Sequence, residues 1–316
     1  MVPGVKTILS FGEVLWDHLP SGPVLGGAPF YLAYRLFSLG DAALIASRVG
    51  SDEAGRRAVE RMNAAGMDTT YVQRDSERPT GRAEVRVDDL GFPEFSILQD
   101  VAYDGIEARN ELLAQAARAD AVGYGTLAQR SAVSRDTLRQ LLGATRGLAF
   151  LDLNLREGCY TRASVTESLE RADVLKLNEG EALQLAKWWG IRSGALPELG
   201  REIMERWTLS HCLITLAERG VLGLSARETF YVPGYRVKVV DACGSGDAFS
   251  SGFLRLHLQG RPLLESLRWG NAFGAVVATQ AGATGAVDRE DVFRLMGSGT
   301  ERTREDRLLG LIVDGA

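Results

Sequence analysis

Short apolar runs alternate with amphipathic stretches along most of the chain. Residues 6–11 (KTILSF) form an apolar run that predicts a first, buried strand. Residues 29–39 follow the paired Gly26 and Gly27 with apolar positions at helical spacing and stop at Gly40, as a glycine-ended helix does. Residues 42–48 predict a second strand and 53–65 a helix ended by Gly66. The alternation returns with strands at 121–124, 148–153, 174–177 and 212–216 and helices at 134–142, 164–171 and 179–188. A hairpin is predicted from 221–225 and 229–232, then helices at 248–258 and 262–281. Between 82 and 99 the period drops to two: Ala83, Val85 and Val87 alternate with Arg82, Glu84 and Arg86. Asp88 to Gly91 reads as a turn, and Phe95, Ile97 and Leu98 follow, so this is a hairpin with one polar face. The charged, Gly-rich stretch 297–307 predicts a mobile segment. Repeated βα units imply a parallel sheet with helices on both faces. The expectation is one α/β domain over residues 1–316, a three-layer sandwich with a mainly parallel central sheet. A small β-lid from about residues 13–25 and 80–99 is an excursion from it.

Composition narrows the partners. The 316 residues are 45% hydrophobic and 24% charged, enough for a sizeable core. A net charge of −5 without a basic stripe argues against nucleic acid. Cys159, Cys212 and Cys243 form no CxxC pair, and His18, His211 and His257 form no HExxH, which argues against a disulfide framework or a cysteine- or histidine-built metal site. No apolar run reaches the roughly 18 residues that suggest a membrane span. The N-terminal apolar run meets Glu13 and Asp17 before it reaches the length of a signal peptide. A soluble, cytoplasmic protein without a membrane partner is expected.

Residues 237–254 (VKVVDACGSGDAFSSGFL) carry the chemistry. An apolar strand leads to Asp241, a small-residue turn Gly244-Ser245-Gly246 follows, and a helix opens at Asp247. Small residues let backbone N–H groups approach an anion, and a helix N-terminus adds unpaired donors and a positive dipole end. Asp247 reads equally as a base taking a proton from an attacking hydroxyl or as a helix N-cap. Gly123 to Ala128 fits GxGxxA, but the acidic residue of a dinucleotide site is not well placed after it. The absence of any Gly-Lys pair excludes a P-loop, and there is no GxSxG elbow.

DACGSGDAFSSGF resembles the C-terminal signature of the ribokinase-like (PfkB-type) carbohydrate kinase family. Gly26-Gly27-Ala28-Pro29 resembles its N-terminal Gly-Gly motif, and the preceding GEVLWDHLP the sugar-contacting strand of fructokinase-like members. Residues 86–106 resemble the lid and its exit, while DLNLR at 152–156 and KLNEGEALQL at 176–185 match two further blocks. With GEVLWDHLP and the Gly-Gly motif taken as one, five blocks stand in the family's order across nearly the whole chain.

The resemblance implies an ATP-dependent kinase of a small sugar, a hexose such as fructose being the first expectation. Asp247 would be the base, and Gly244, Ser245 and Gly246 would complete the anion hole. Asp17, Gly26, Gly27, Tyr31 and Arg156 would meet substrate, and Asn178, Thr215, Gly220 and Asn271 the nucleotide. Glu181 would hold Mg²⁺ through water, and the turn of Asp241 and Cys243 would offer carbonyls to a monovalent cation such as K⁺. For single residues the plainer alternatives are a solvated first-turn carboxylate for Glu181, a turn for the two glycines, a surface residue for Arg156 and a solvated helical side chain for Asn271. Tyr31 stands where the family commonly has a sugar-contacting Asn, Ala217 where it has Gly, Ala242 where it has Thr and Ser245 where it has Ala. These departures keep 2-keto-3-deoxygluconate, ribose and nucleosides open as substrates, and a sugar- or nucleotide-binding regulator as the non-enzyme alternative. A homodimer through the lid is the expected assembly.

Overall fold

Along each central strand, successive residues feed two different cores. Ile8, Ala121, Phe150, Val174 and Leu213 pack in one apolar cluster, and their chain neighbours Leu9, Val122, Leu151, Leu175 and Ile214 in another. Side chains of a strand point alternately to opposite faces, so a sheet buried on both sides needs apolar residues at both parities.

The computed structural model describes residues 4–19, 22–87 and 93–313. The N-terminal half runs β1 (Thr7–Phe11), β2 (Leu15–Leu19), β3 (Gly22–Gly26), α1 (Ala28–Ser38), β4 (Ala42–Gly50), α2 (Glu53–Ala64), β5 (Val72–Asp75), β6 (Gly81–Val87), β7 (Pro93–Ile97), α3 (Asn110–Ala116), β8 (Ala121–Tyr124) and α4 (Ala132–Ala144). It continues with β9 (Leu148–Asp152), α5 (Arg162–Glu170), β10 (Val174–Asn178), α6 (Glu179–Trp189), α7 (Leu196–Trp207), β11 (His211–Thr215), β12 (Gly220–Ser225) and β13 (Thr229–Tyr235). Last come α8 (Ser245–Leu258), α9 (Leu263–Ala278), α10 (Arg289–Gly297) and β14 (Arg302–Thr303).

The large sheet has the order β14-β13-β12-β11-β10-β9-β8-β1-β4-β5. From β11 to β5 every pairing is parallel, and β12, β13 and β14 add an antiparallel edge. Buried residues of α3 to α7 join the core on one face, and those of α1, α8 and α9 the core on the other. This is the expected three-layer sandwich with a mainly parallel sheet. A second sheet, β3-β2-β6-β7, is consistent with the expected lid. Its β2 and β6 pair in parallel, with Asp17 opposite Ala83. The turn read at Asp88 to Gly91 lies outside the described residues.

Helix ends follow local chemistry. Asn178 and Glu181 cap α6 reciprocally: Glu181 N donates to Asn178 Oδ1 at 2.9 Å, and Asn178 N to Glu181 Oε2 at 2.8 Å. Gly190, left-handed at φ 66°, ends the same helix.

Several elements were not read from the sequence: α3, α7, α10, β5 and β14. The stretch expected to be mobile is instead tied down. Arg302 and Thr303 pair with Tyr235 and Gly234, and Glu305 bridges to Arg219 and Arg307. The Gly123–Ala128 pattern opens no α-helix: β8 ends at Tyr124, a short 3₁₀ turn follows, and Gly123 packs so closely that a Cβ would lie 2.5 Å from Leu32.

Candidate active site

The parallel strands end on one rim of the sheet, and the functional residues gather there, as in open α/β sheets generally. Asp152 ends β9, Asn178 ends β10 and Thr215 ends β11. Across this rim α8 begins. Its cap Gly244 is left-handed at φ 74°, and a Cβ on it would lie 2.5 Å from the Cβ of Ala283. Both facts require glycine there. Ser245 closes the turn, its hydroxyl donating to Ala242 O at 2.8 Å. Ser245 N also donates to Ala242 O at 3.2 Å, and the N–H groups of Gly246 and Asp247, in the first turn of α8, have no acceptor within the helix.

Asp247 sits in the first turn of α8. It does not cap the helix, because the cap position belongs to Gly244. Burial, and then the nearby Asp152 carboxylate, push its carboxyl up to about 7, against the pull of Lys176 and Arg156. Beneath the turn, Lys176 Nζ donates to Asp152 Oδ1 at 2.9 Å, and Ser250 Oγ donates to Asp152 Oδ2 at 2.9 Å. A Cβ on Gly246 would lie 3.3 Å from Lys176 Nζ.

The second half of the site lies under the small sheet. Asp17, on β2, packs against Gly26 so tightly that a Cβ there would lie 2.2 Å from Asp17 Oδ2 and 3.1 Å from Tyr31 Oη. Gly27, at φ 118°, leaves no room either, since its Cβ would be 2.4 Å from Glu13 O. Tyr31 is buried on α1, and the Cys243 thiol approaches its hydroxyl at 3.9 Å. The Tyr31 residue and the turn preceding Asp247 therefore meet in one cleft. Burial lifts the Asp17 carboxyl to about 6 and raises the Tyr31 phenol, while Arg156 holds Asp17 down. Arg156 also lowers Glu13 and Asp247, so its charge acts on both halves of the site.

Glu181 is buried, not solvated as a surface carboxylate would be. One oxygen accepts from Asn178 N and the other from Leu155 N, each at 2.8 Å. Each oxygen keeps a second lone pair, which fits a water-bridged Mg²⁺, an ion that retains most of its waters. Asp241 accepts from Cys243 N at 2.9 Å and Gly282 N at 3.1 Å, so its carboxylate shapes the turn whose carbonyls suit a monovalent cation. Among the described residues no three His, Cys, Asp or Glu side chains cluster as a metal site.

At the end of β11, Thr215 Oγ1 reaches Leu177 O at 3.4 Å. Gly220 opens β12 where a Cβ would be 2.0 Å from Val232 O. Asn271 is not simply solvated: its amide donates to Pro233 O at 2.9 Å and ties α9 to β13. Ala217 is left-handed at φ 53°, so the residue standing where the family has glycine keeps a glycine-like backbone.

Sequence reasoning missed Glu13, Asp152, Lys176 and Ser250 as members of this site. Glu13 is buried, accepts from Ala28 N at 3.2 Å and is lifted by burial to about 7. It lay inside the GEVLWDHLP block, and Lys176 was visible as one of only four lysines. Nothing in the sequence singled out Ser250.

The profile described as pfkB family carbohydrate kinase matches residues 24–289. Fructokinase-1 of Oryza sativa subsp. japonica is 29% identical over 322 residues, covering 93% of this chain and 98% of the relative. The structure of fructokinase with bound ATP from Xylella fastidiosa superposes with a TM-score of 0.80 at 25% identity, covering 93% of this chain and 98% of that one. A Vibrio cholerae O395 fructokinase variant shares the fold, with a TM-score of 0.79 at 22% identity over 93% of this chain and 99% of that one. With the family profile matching most of its length and its site residues in one cleft, the chain belongs to the pfkB family of carbohydrate kinases.

Proposed function

We propose that this kinase transfers the γ-phosphoryl group of ATP to a hydroxyl of a hexose, with fructose the first substrate to try. The observation that carries the reading is Asp247: a carboxyl near 7, in the first turn of α8, beside the cleft that holds Asp17 and Tyr31. The rice relative is named a fructokinase, the Xylella protein was solved with ATP, and the Vibrio protein with fructose, ADP and potassium ion.

In this mechanism Asp17, Tyr31 and Arg156 hold the sugar, with Gly26 and Gly27 letting backbone approach it. Asp247 takes the proton of the attacking hydroxyl as its oxygen bonds to the γ-phosphorus and the bond to ADP breaks. The N–H groups of Gly244, Gly246 and Asp247 stabilise the charge on the transferred group, while Ser245 N donates to Ala242 O at 3.2 Å and holds the turn. Asn178, Thr215, Gly220 and Asn271 line the nucleotide side. Glu181 would hold Mg²⁺ through water, and the carbonyls around Asp241 and Cys243 would hold K⁺; bound, these ions would supply positive charge to the phosphates. The small sheet closes over the sugar and excludes water. Its outer strands β3 and β7 have unpaired edges within that sheet, which favour a homodimer through the lid. The three cysteines, all unpaired, suit the cytoplasm.

ADP release by purified protein with Mg²⁺ and K⁺, across sugars, sugar acids and nucleosides, tests the reading. Release with fructose supports it, and release only with a sugar acid or nucleoside replaces the substrate. Tyr31, where the family commonly has a sugar-contacting Asn, favours a second reading, a binding regulator; ATP binding without turnover on any acceptor selects it.

A further inference from the structure

Asp152 and Lys176 have no role in the mechanism above, yet they form an ion pair directly beneath its phosphate turn. Their side chains are 11% and 12% exposed. A pair so deeply placed contributes little to folding, because lost hydration offsets most of the attraction. Its position is more informative. Lys176 spends one of its three donors on Asp152, and its Nζ lies 3.3 Å from where a Cβ on Gly246, the residue before the base, would be. Asp152 is fixed from the other side by Ser250, which lies one turn along α8 from Asp247. The pair therefore touches the helix that carries the base at two points, from β9 and β10.

We propose that Asp152 and Lys176 are positioning residues that set the charge beneath the phosphate turn, Lys176 favouring an ionised Asp247 and a negative phosphoryl group, Asp152 keeping Asp247 basic enough to accept a proton. The two act with opposite sign. The Lys176 ammonium stabilises the Asp247 carboxylate, and the Asp152 carboxylate opposes it. Removing Lys176 therefore raises the proton affinity of Asp247, and removing Asp152 lowers it. A charge within about 4–6 Å moves a carboxyl by roughly one pH unit or more.

Other groups face Asp247. Arg156 acts from the loop after β9, Glu13 from the loop after β1, Tyr31 and Arg35 from α1, and Cys243 from the turn. Glu13 titrates in the same range, near 7, so the absolute position of a pH limb does not identify its owner. Opposite displacement by two substitutions does.

The inference rests on Asp247 as the base, so Asp247→Asn is measured alongside. The experiment is the pH dependence of kcat/KM from about pH 5 to 9, with melting curves, for wild type, Lys176→Met, Lys176→Arg and Asp152→Asn. The acid limb is expected to move up in Lys176→Met by about one unit, with at least about a tenfold loss of kcat. It is expected to move down in Asp152→Asn and to stay in Lys176→Arg, which keeps the charge. If Lys176→Met does not fold, Asp152→Asn and Lys176→Arg still decide. Limbs that stay put while activity falls mean a structural pair and overturn the proposal, as does a limb for Asp152→Asn at or above that of wild type. Wild-type turnover by Asp247→Asn instead removes the base assignment, whatever the other variants do.

Discussion

Asp247→Asn tests both the chemistry and the electrostatics of the site. The carboxyl is raised from 3.8 to about 7, chiefly by burial, so at pH 8 the folded protein holds an ionised group that the surroundings disfavour. The sign follows from linkage: the unfolded carboxyl ionises near 3.8 and the folded one near 7, so ionisation favours the unfolded chain throughout that window. Stability is lost as pH rises from 3.8 to about 7, and the full loss persists above it. At about 1.4 kcal/mol per unit the ceiling is about 4 kcal/mol, and sharing among coupled carboxylates brings the expected gain from Asn to about 2–4 kcal/mol at pH 8. With an unfolding entropy of about 2.1 cal/mol/K per residue, each kcal/mol moves the melting temperature of a chain this long by about 1.5 °C. Asp247→Asn should thus melt about 3–6 °C higher than wild type at pH 8, with the difference shrinking toward pH 4. Turnover should fall by about 10²–10⁴-fold while ATP binding survives. Scanning calorimetry at several pH values and a coupled ADP assay read the two effects. A variant that is less stable at pH 8, or turns over normally, would refute the reasoning.

Gly26→Ala puts a methyl 2.2 Å from Asp17 Oδ2, so the Asp17 carboxylate must move; sugar KM should rise by about tenfold or more with ATP KM unchanged, and an equal rise in both would contradict the division of the site. Glu181→Gln leaves one of the N–H groups of Leu155 and Asn178 without its acceptor, which should cost about 1–3 kcal/mol and raise the Mg²⁺ concentration needed for half-maximal rate; unchanged melting would mean the cap is unimportant. Ala217→Gly relieves a left-handed alanine at φ 53° and should stabilise by about 0.5–1 kcal/mol in denaturant unfolding, whereas a loss would show that the Ala217 methyl is needed.

The sheet was legible because both faces are buried: apolar runs such as KTILSF need no partner to be recognised. The β14 pairing was not legible, because two residues carry no period, and it is fixed by the β13 edge and by Arg302 over the Tyr235 ring at 3.5 Å. α7 begins at Leu196 with a proline in its first turn, behind a polar loop, and its apolar stripe makes sense only against β11 and β12. In the site, the Gly244 turn was readable from local chemistry as an anion-binding helix start, while Asp247 read equally as base or cap until the family resemblance was added. The roles of Asp152 and Lys176 were not readable, because their meaning lies in the meeting of two strands with α8, Asp152 standing 24 residues from Lys176 and 98 from Ser250.

The two halves of the site are joined by α1. It starts at Gly27 against Glu13 and presents Tyr31 beside Asp17. One turn further, Tyr34 donates to Thr284 O at 2.6 Å, and the wholly buried Arg35 donates to Ala283 O at 2.6 Å and Gly285 O at 2.7 Å. Ala283 is the residue that leaves no room for a side chain on Gly244, and Gly282 N holds the Asp241 carboxylate. Burial weakens the hold of Arg35 on its proton, yet a guanidinium stays charged in proteins, so two carbonyls face a fixed cation. Leaving that charge unpaired would be costly, which makes the clamp stiff. In the proposed mechanism, one helix would therefore set the spacing between the acceptor hydroxyl and the phosphate turn. In that mechanism, substrate choice would reside in what α1 and β2 present, Tyr31 and Asp17, and the transfer in a turn that the same helix holds in place from behind.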